Sequence, residues 1–206
     1  MMDLATDLSI ELGQIRLKNP VICASSEITM TAEGIRAAID AGAAAVVAKS
    51  VNESPAAAAQ LDKADYILLD DDFRSVLWTS PERLKASLFC RSGLAQTPLD
   101  EYLPMLADLD KYAQSKQAYV VGSITVANAE PAAEIAARMQ QTGLRWVELN
   151  LSAPHGRESG AVSQITGRDA VRDYVRTVRG AVSLPLAVKL TAQSDDPLSL
   201  VATAIS

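Results

Sequence analysis

Along this chain, compact apolar runs alternate with longer stretches whose apolar residues return every three or four positions, the pattern of strands followed by amphipathic helices. Leu8 to Pro20, LSIELGQIRLKNP, reads as two short alternating strands about Gly13, a hairpin ended by Asn19-Pro20 and suited to capping something. Val21 to Ser25 is a strand, and TAEGIRAAIDAGA after it is a helix that Thr31 can N-cap and Gly42 can end. The unit then repeats. Ala44 to Ser50 (AAVVAKS) is a strand and TPLDEYLPMLADLDKYAQSK a helix; AYVVGSI is a strand and NAEPAAEIAARMQQTG a helix closed by Gly143. RWVELNLS and LPLAVKLT are two more strands, with the helical period of GRDAVRDYVRTVRGAV between them, and TAQSDDPLSLVATAIS begins a fifth helix.

Five strands rich in Val, Ile, Leu and Ala, alternating with helices, predict a parallel sheet covered by helices. A doubly wound sheet would carry a glycine-rich phosphate turn after its first strand, whereas CASSEITMT holds no glycine. The expected fold is therefore α/β, a (β/α)8 TIM barrel with an N-terminal β-hairpin, about five of its eight β/α units being present. Residues 1–206 are expected to form a single barrel domain truncated at the C-terminus, since such barrels usually run to about 250 residues. Asn52 to Thr97 interrupts the repeat and reads as a long irregular excursion, with Ala56 to Ala59 at most a short helical turn; loops of that length are commonly functional.

Composition narrows the classes of function. With 49% hydrophobic residues in 206, the chain can bury a substantial core. Lys plus Arg number 19 against 25 Asp plus Glu, a net charge of −6 that disfavours nucleic acid as a partner. No apolar run approaches the ~18 residues of a membrane span, and MMDLATDLSIEL lacks the plan of a signal peptide, so no membrane partner and a cytoplasmic location are expected. Cys23 and Cys90 are too few for a disulfide framework and have no metal-ligand spacing; both are expected as buried thiols, and no metal is expected.

In a (β/α)8 barrel the reactive groups gather at the C-terminal ends of the strands. Those ends carry Ser25-Ser26, Lys49-Ser50, Ser123 to Thr125, Asn150 to Ser152 and Lys189 to Thr191. A hydroxyl there commonly caps the following helix. A lysine at a buried strand end needs a partner, because burying an unpaired charge costs several kcal/mol. The stretch VELNLSAPHG brings the single histidine, His155, beside Ala153. An imidazole, ordinarily with a pKa of about 6.5, suits general-base work near neutrality. His155 is thus the candidate catalytic residue and a substrate contact, with a loop-holding role as its alternative. Ser163, a hydroxyl with no activating partner visible in the sequence, is the weaker candidate.

Taken together, IRLKNPV, Ala24-Ser25, Ala48 to Ser50 (AKS), ELNLSAPHG and Val188 to Leu190 (VKL), in that order over nearly the whole chain, resemble the FMN-binding dihydroorotate and dihydropyrimidine dehydrogenase family. NLS-x-P at Asn150 to Pro154 is the most specific match, and PHG at Pro154 to Gly156 is more similar to the dihydropyrimidine branch. The resemblance implies a flavin-dependent oxidoreductase acting on the CH–CH bond of dihydroorotate, dihydrouracil or dihydrothymine, with FMN as cofactor. It implies that Ala24 and Ser25 meet the flavin through their backbone, that Lys49, Asn150 and Lys189 reach its polar ring edge with Ser50 in the same cofactor set, and that Ser152 faces the substrate. Hydride transfer to the flavin leaves negative charge on that edge, which a fixed cation stabilises best in a dry pocket.

Two departures accompany the likeness. The family's base is a Cys or Ser between NLS and P, where this chain has Ala153, and its excursion asparagine corresponds most nearly to LFCRSG, with Cys90 or Arg91. The family's phosphate-gripping glycines lie in its last strands and are not in this sequence, nor is an iron–sulfur cluster motif. A homodimer or an electron-transfer partner subunit is the expected assembly. Two other readings stay open: a Schiff-base aldolase using Lys189 or Lys49, and a catalytically silent flavin-barrel partner subunit, suggested by Ala153. Arg172, Arg176 and Arg179 read as a solvated helix face.

Overall fold

The computed structural model describes residues 6–52, 65–91, 93–152, 167–192 and 196–205. The chain opens with the hairpin β1 (Ile10–Leu12) and β2 (Ile15–Leu17), paired Ile10 to Leu17 and turned at Gly13, whose φ of +59° suits a residue without Cβ. β3 (Ile22–Cys23) leads to a 3-10 turn, Glu27–Met30, and then to α1 (Ala32–Asp40), which the Thr31 hydroxyl caps by accepting from the Gly34 N–H at 3.2 Å. The 3-10 turn lies so close on α1 that a Cβ at Gly34 would fall 1.8 Å from the Ile28 carbonyl oxygen. β4 (Ala45–Val47) follows.

The described part of the excursion is not irregular. It forms an antiparallel sheet, β5 (Asp65–Leu69), β6 (Ser75–Val76) and β7 (Ser87–Arg91), with β5 in the centre. The acidic run Asp70 to Asp72, which looks like a charged loop, makes the reversal: the Asp70 carboxylate accepts from the N–H groups of Asp72 and Arg74 at 3.0 and 2.8 Å. Ala56 to Ala59 lie outside the described residues. Cys90 is exposed on β7 and Cys23 is half-buried, so the expectation of two buried thiols is corrected; Cys90 belongs to this outer sheet and not to the core.

The regular repeat resumes with α2 (Leu99–Ser115), β8 (Tyr119–Ile124), α3 (Ala129–Gln141), β9 (Val147–Asn150), α4 (Arg168–Ala181), β10 (Leu186–Lys189) and α5 (Pro197–Ala204). Strands β3, β4, β8, β9 and β10 form one parallel sheet in the order of the chain. A doubly wound sheet reverses its order at a switch point; a barrel adds every strand beside the last. These are successive β/α units of a (β/α)8 barrel.

Strand alternation divides the side chains between two cores. Val46, Val120, Val147 and Leu149 face the helices, meeting Ile35, Leu106, Met139 and Val178. On the other face, Ala45, Val47, Val121 and Trp146 pack against Ile15 and Leu17 of the hairpin, with Leu17 fully buried. The hairpin therefore caps the inner face near the start of the strands, and burying a leucine in this way is worth about 1.5–3 kcal/mol. Farther along, the same inner face turns polar. Among the described residues no helix is long and apolar enough to cross a membrane.

Candidate functional site

Beyond β4 the backbone of Lys49 is held from two sides. Its N–H donates to the Thr29 carbonyl at 3.0 Å, and its carbonyl accepts from the Tyr102 hydroxyl at 2.9 Å. Tyr102 is fully buried, and burial pushes its phenol well above the ordinary range, so it remains a donor. The Lys49 side chain is only 6% exposed, and its ammonium lies 3.2 Å from Glu27 Oε1. Glu27 is presented by the 3-10 turn, which the Thr29 hydroxyl fixes by accepting from the Ser26 N–H and donating to the Ser26 carbonyl, each at 3.0 Å. The partner that a buried strand-end lysine requires is thus Glu27.

A second set of groups spans β4, β8, β9 and β10. Glu148 stands opposite Ser123 on one side and Ala187 on the other, while Asn150 stands opposite Lys189. Ser123 donates to Glu148 Oε1 at 2.9 Å, and the Lys189 ammonium lies 3.5 Å from the same oxygen. Ser123 has one hydroxyl proton and spends it on Glu148. In the 2.8 Å contact between Ser50 and Ser123, Ser50 must then be the donor. Ser50 in turn accepts from the Asn150 amide at 3.2 Å, and the Asn150 carbonyl oxygen accepts from the Ser152 hydroxyl at 2.9 Å and the Ser152 N–H at 3.2 Å. The chain of donors runs one way, from Ser152 through Asn150, Ser50 and Ser123 to Glu148, and fixes which way the Asn150 amide points. Among the described residues no buried side-chain nitrogen or oxygen lacks a hydrogen-bond partner.

The structure therefore brings together Lys49, Ser50, Asn150, Ser152 and Lys189. Ala24, exposed, and Ser25, half-buried, follow β3 at the same end of the sheet. His155, Ala153 and Ser163 lie outside the described residues. Sequence reading missed two members, Glu148 and Glu27, and saw Ser123 only as a strand-end hydroxyl. Glu148 was open to discovery, because it lies two residues before Asn150 on a strand and so shares its face. Ser123 was visible as a strand-end hydroxyl, but its partners were not. Glu27 sits on a 3-10 turn with no periodic signal.

No family model matches the chain. It is 28% identical over 196 residues to the dihydroorotate dehydrogenase B (NAD(+)) catalytic subunit of Thermoplasma acidophilum, an alignment covering 94% of this chain and 57% of that protein. To the same subunit of Pyrococcus furiosus it is 30% identical over 191 residues, 92% of this chain and 55% of the other. To the NAD-dependent dihydropyrimidine dehydrogenase subunit PreA of Escherichia coli it is 27% identical over 201 residues, 94% and 44%. The chain spans about half the length of the curated relatives it matches. Among solved structures, a dihydrodipicolinate synthase aligns over 90% of this chain and 52% of its own at 12% identity and a TM-score of 0.49, too distant to bear on function. Over the aligned half, then, the chain is a homologue of the dihydroorotate dehydrogenase B catalytic subunits and of the dihydropyrimidine dehydrogenase subunit.

Proposed function

We propose that the strand-end network holds FMN and that the whole protein is an FMN-dependent dehydrogenase of the dihydroorotate dehydrogenase type, acting on the CH–CH bond of dihydroorotate, dihydrouracil or dihydrothymine. The supporting observation is the donor set: two ammonium groups, one carboxamide of fixed orientation and a chain of hydroxyls, all on the inner face of adjacent strands. The polar edge of a flavin ring offers carbonyl and ring-nitrogen acceptors beside an N–H donor, and this set is chemically suited to it. The flavin, when bound, supplies the hydride acceptor.

The chain's own residues would do the rest. Lys49 and Lys189 provide positive charge at the ring edge, and their ion pairs with Glu27 and Glu148 hold the ammonium groups in place before reaction, so that little reorganisation remains. Ser50 and Ser123 act through Asn150, fixing the amide that meets the ring. Ala24 and Ser25 would approach it through their backbone, and Ser152 and His155 belong to the substrate side. A Schiff-base nucleophile attacks as a free amine, whereas both lysines here are engaged in ion pairs. The relatives are named as subunits, and an electron-transfer partner subunit or a second copy is the assembly we assign.

The test is the colour and bleaching of the purified protein. It should carry a flavin that dihydroorotate, dihydrouracil or dihydrothymine reduces without oxygen. Lys189→Ala and Lys49→Ala should lower the flavin potential or lose the flavin while the far-ultraviolet circular dichroism is kept. Protein with no affinity for FMN would sink the reading. A flavin that none of the three reduces would favour the silent-subunit alternative.

A further inference from the structure

Glu148 stands on the inner face of β9 between the Ser123 hydroxyl of β8 and the Lys189 ammonium of β10, and both donors converge on one of its oxygens. Oε1 accepts from Ser123 at 2.9 Å and lies 3.5 Å from the Lys189 nitrogen. Oε2 has no partner among the described residues. Since none of their buried side-chain oxygens goes unpaired, Oε2 is open to whatever fills the inner face, although the side chain as a whole is only 12% exposed. Two donors on Oε1 fix the plane of the carboxylate, so folding also sets the direction in which Oε2 can accept. The neighbouring acceptors are already engaged. The Asn150 carbonyl oxygen takes the Ser152 hydroxyl at 2.9 Å and the Ser152 N–H at 3.2 Å, and the Asn150 amide keeps one N–H beyond the one given to Ser50. Ser50 and Ser123 are 4% and 1% exposed, too deep to meet a ligand directly. Along β9 and β10 the site therefore presents donors at Asn150 and Lys189 with an anionic acceptor, Glu148 Oε2, beside them.

We infer that Glu148 is the residue that accepts the ring N–H of the flavin, at N3 between the two ring carbonyls, and that it selects a flavin edge whose nitrogen carries a proton. The inference rests on the flavin reading above and deepens it, naming the acceptor that the lysines and the Asn150 amide cannot supply. No proton is transferred; it stays on the ring nitrogen. A bond from N–H to a carboxylate is charge-assisted and roughly twice as strong as a neutral one. The same geometry decides what an isosteric replacement does. In Glu148→Gln, Lys189 has no acceptor to offer and Ser123 donates, so the two hold the amide oxygen where Oε1 was. The NH2 group then takes the place of Oε2 and meets the ring N–H donor to donor. Glu148→Ala takes the acceptor away without putting a donor there.

The test is the binding of FMN and of 3-methyl-FMN, whose ring nitrogen carries a methyl group in place of the proton. Affinities are read from flavin fluorescence with wild type, Glu148→Gln, Glu148→Ala and Ser152→Ala, each checked for its fold by far-ultraviolet circular dichroism. Wild type should bind FMN about 10- to 100-fold more tightly than 3-methyl-FMN, the range of a hydrogen bond to a charged group. Glutamine has the shape of glutamate, so the methyl meets the same wall in both, and a fall of the ratio in Glu148→Gln reports the N–H alone. Glu148→Ala should bind the two flavins alike. Glu148→Gln should bind FMN more weakly than Glu148→Ala despite its closer shape, an order that lost packing would not produce, and Ser152→Ala should keep the wild-type ratio. Wild type that binds both flavins equally, or a glutamine or alanine variant that keeps the wild-type ratio, overturns the inference and leaves the flavin reading standing. A ratio lost in Ser152→Ala and kept in Glu148→Ala overturns it in favour of Ser152. Wild type that binds neither flavin overturns the flavin reading and this inference with it.

Discussion

Removing Glu27 should expose how far the site depends on its ion pair. The Lys49 side chain is 6% exposed and that of Glu27 27%, with 3.2 Å between charged atoms. Glu27→Ala takes from the buried ammonium the carboxylate 3.2 Å away, a change of the kind that costs 3–5 kcal/mol in fully buried pairs. Water can follow the truncated side chain in from the exposed side, so the lower end, about 3 kcal/mol, is expected. Lys49→Met takes away the charge but keeps the length of the buried stem, so Glu27→Ala/Lys49→Met should recover to within about 1 kcal/mol of wild type and give a coupling energy of about 2 kcal/mol or more. The assay is urea unfolding of all four proteins, followed by both fluorescence and circular dichroism to check that the transitions coincide. Because the pair is mostly shielded, added salt should change the coupling little. Costs below about 0.5 kcal/mol for each single variant, adding in the double, would mean that water already solvates Lys49 and that the site is not dry.

Two further outcomes follow from buried polar groups. Arg145→Lys should cost about 2–3 kcal/mol in thermal or urea unfolding, because the guanidinium makes two 2.7 Å bonds to the 3%-exposed Asp110, a third to the Ala118 carbonyl, and stacks 4.3 Å over the Tyr119 ring; a lysine that fully substitutes would refute the importance of that fork. Tyr102 ionises less readily folded than unfolded, so its contribution to stability is complete below the unfolded value of ~10 and declines as pH rises through and beyond it; Tyr102→Phe should cost about 1–3 kcal/mol at pH 7 and flatten the alkaline fall seen in wild type, and an unchanged alkaline slope would assign that fall to other groups.

Much of this architecture is legible in the sequence because strand and helix periods, Thr31 at its cap and Gly42 and Gly143 beyond their helices all carry local physical signals. The inner-face lysines and Asn150 were legible for a topological reason: in a barrel the strand end is the site. What was hidden is pairing. Nothing local to Glu27 tells that a 3-10 turn aims it at Lys49, 22 residues on. Nothing local to DYILL and SLFCR tells that they pair across a gap of 17 residues to set Tyr66 against Cys90; short strands joined through polar, acidic residues read as loop.

The polarity change along one face of the same strands is what makes a site at this place inexpensive to fold. Ala45 and Val47 of β4 and Val121 of β8 are sealed by Ile15 and Leu17 of the hairpin; two residues farther on, the same face presents Lys49 and Ser123, and β9 adds Glu148. A lysine alone at that depth would be destabilising, and so would a carboxylate alone. Among the described residues each of the two lysines instead meets a carboxylate, so these four groups together carry no net charge, and the hydroxyl and amide chain has a donor for every acceptor it presents to itself. Such a network is already complete without a ligand. A flavin edge would therefore bind by exchanging partners with groups already held in position, and the charge that grows on it during reduction would meet cations whose location was fixed by folding and not by the ligand.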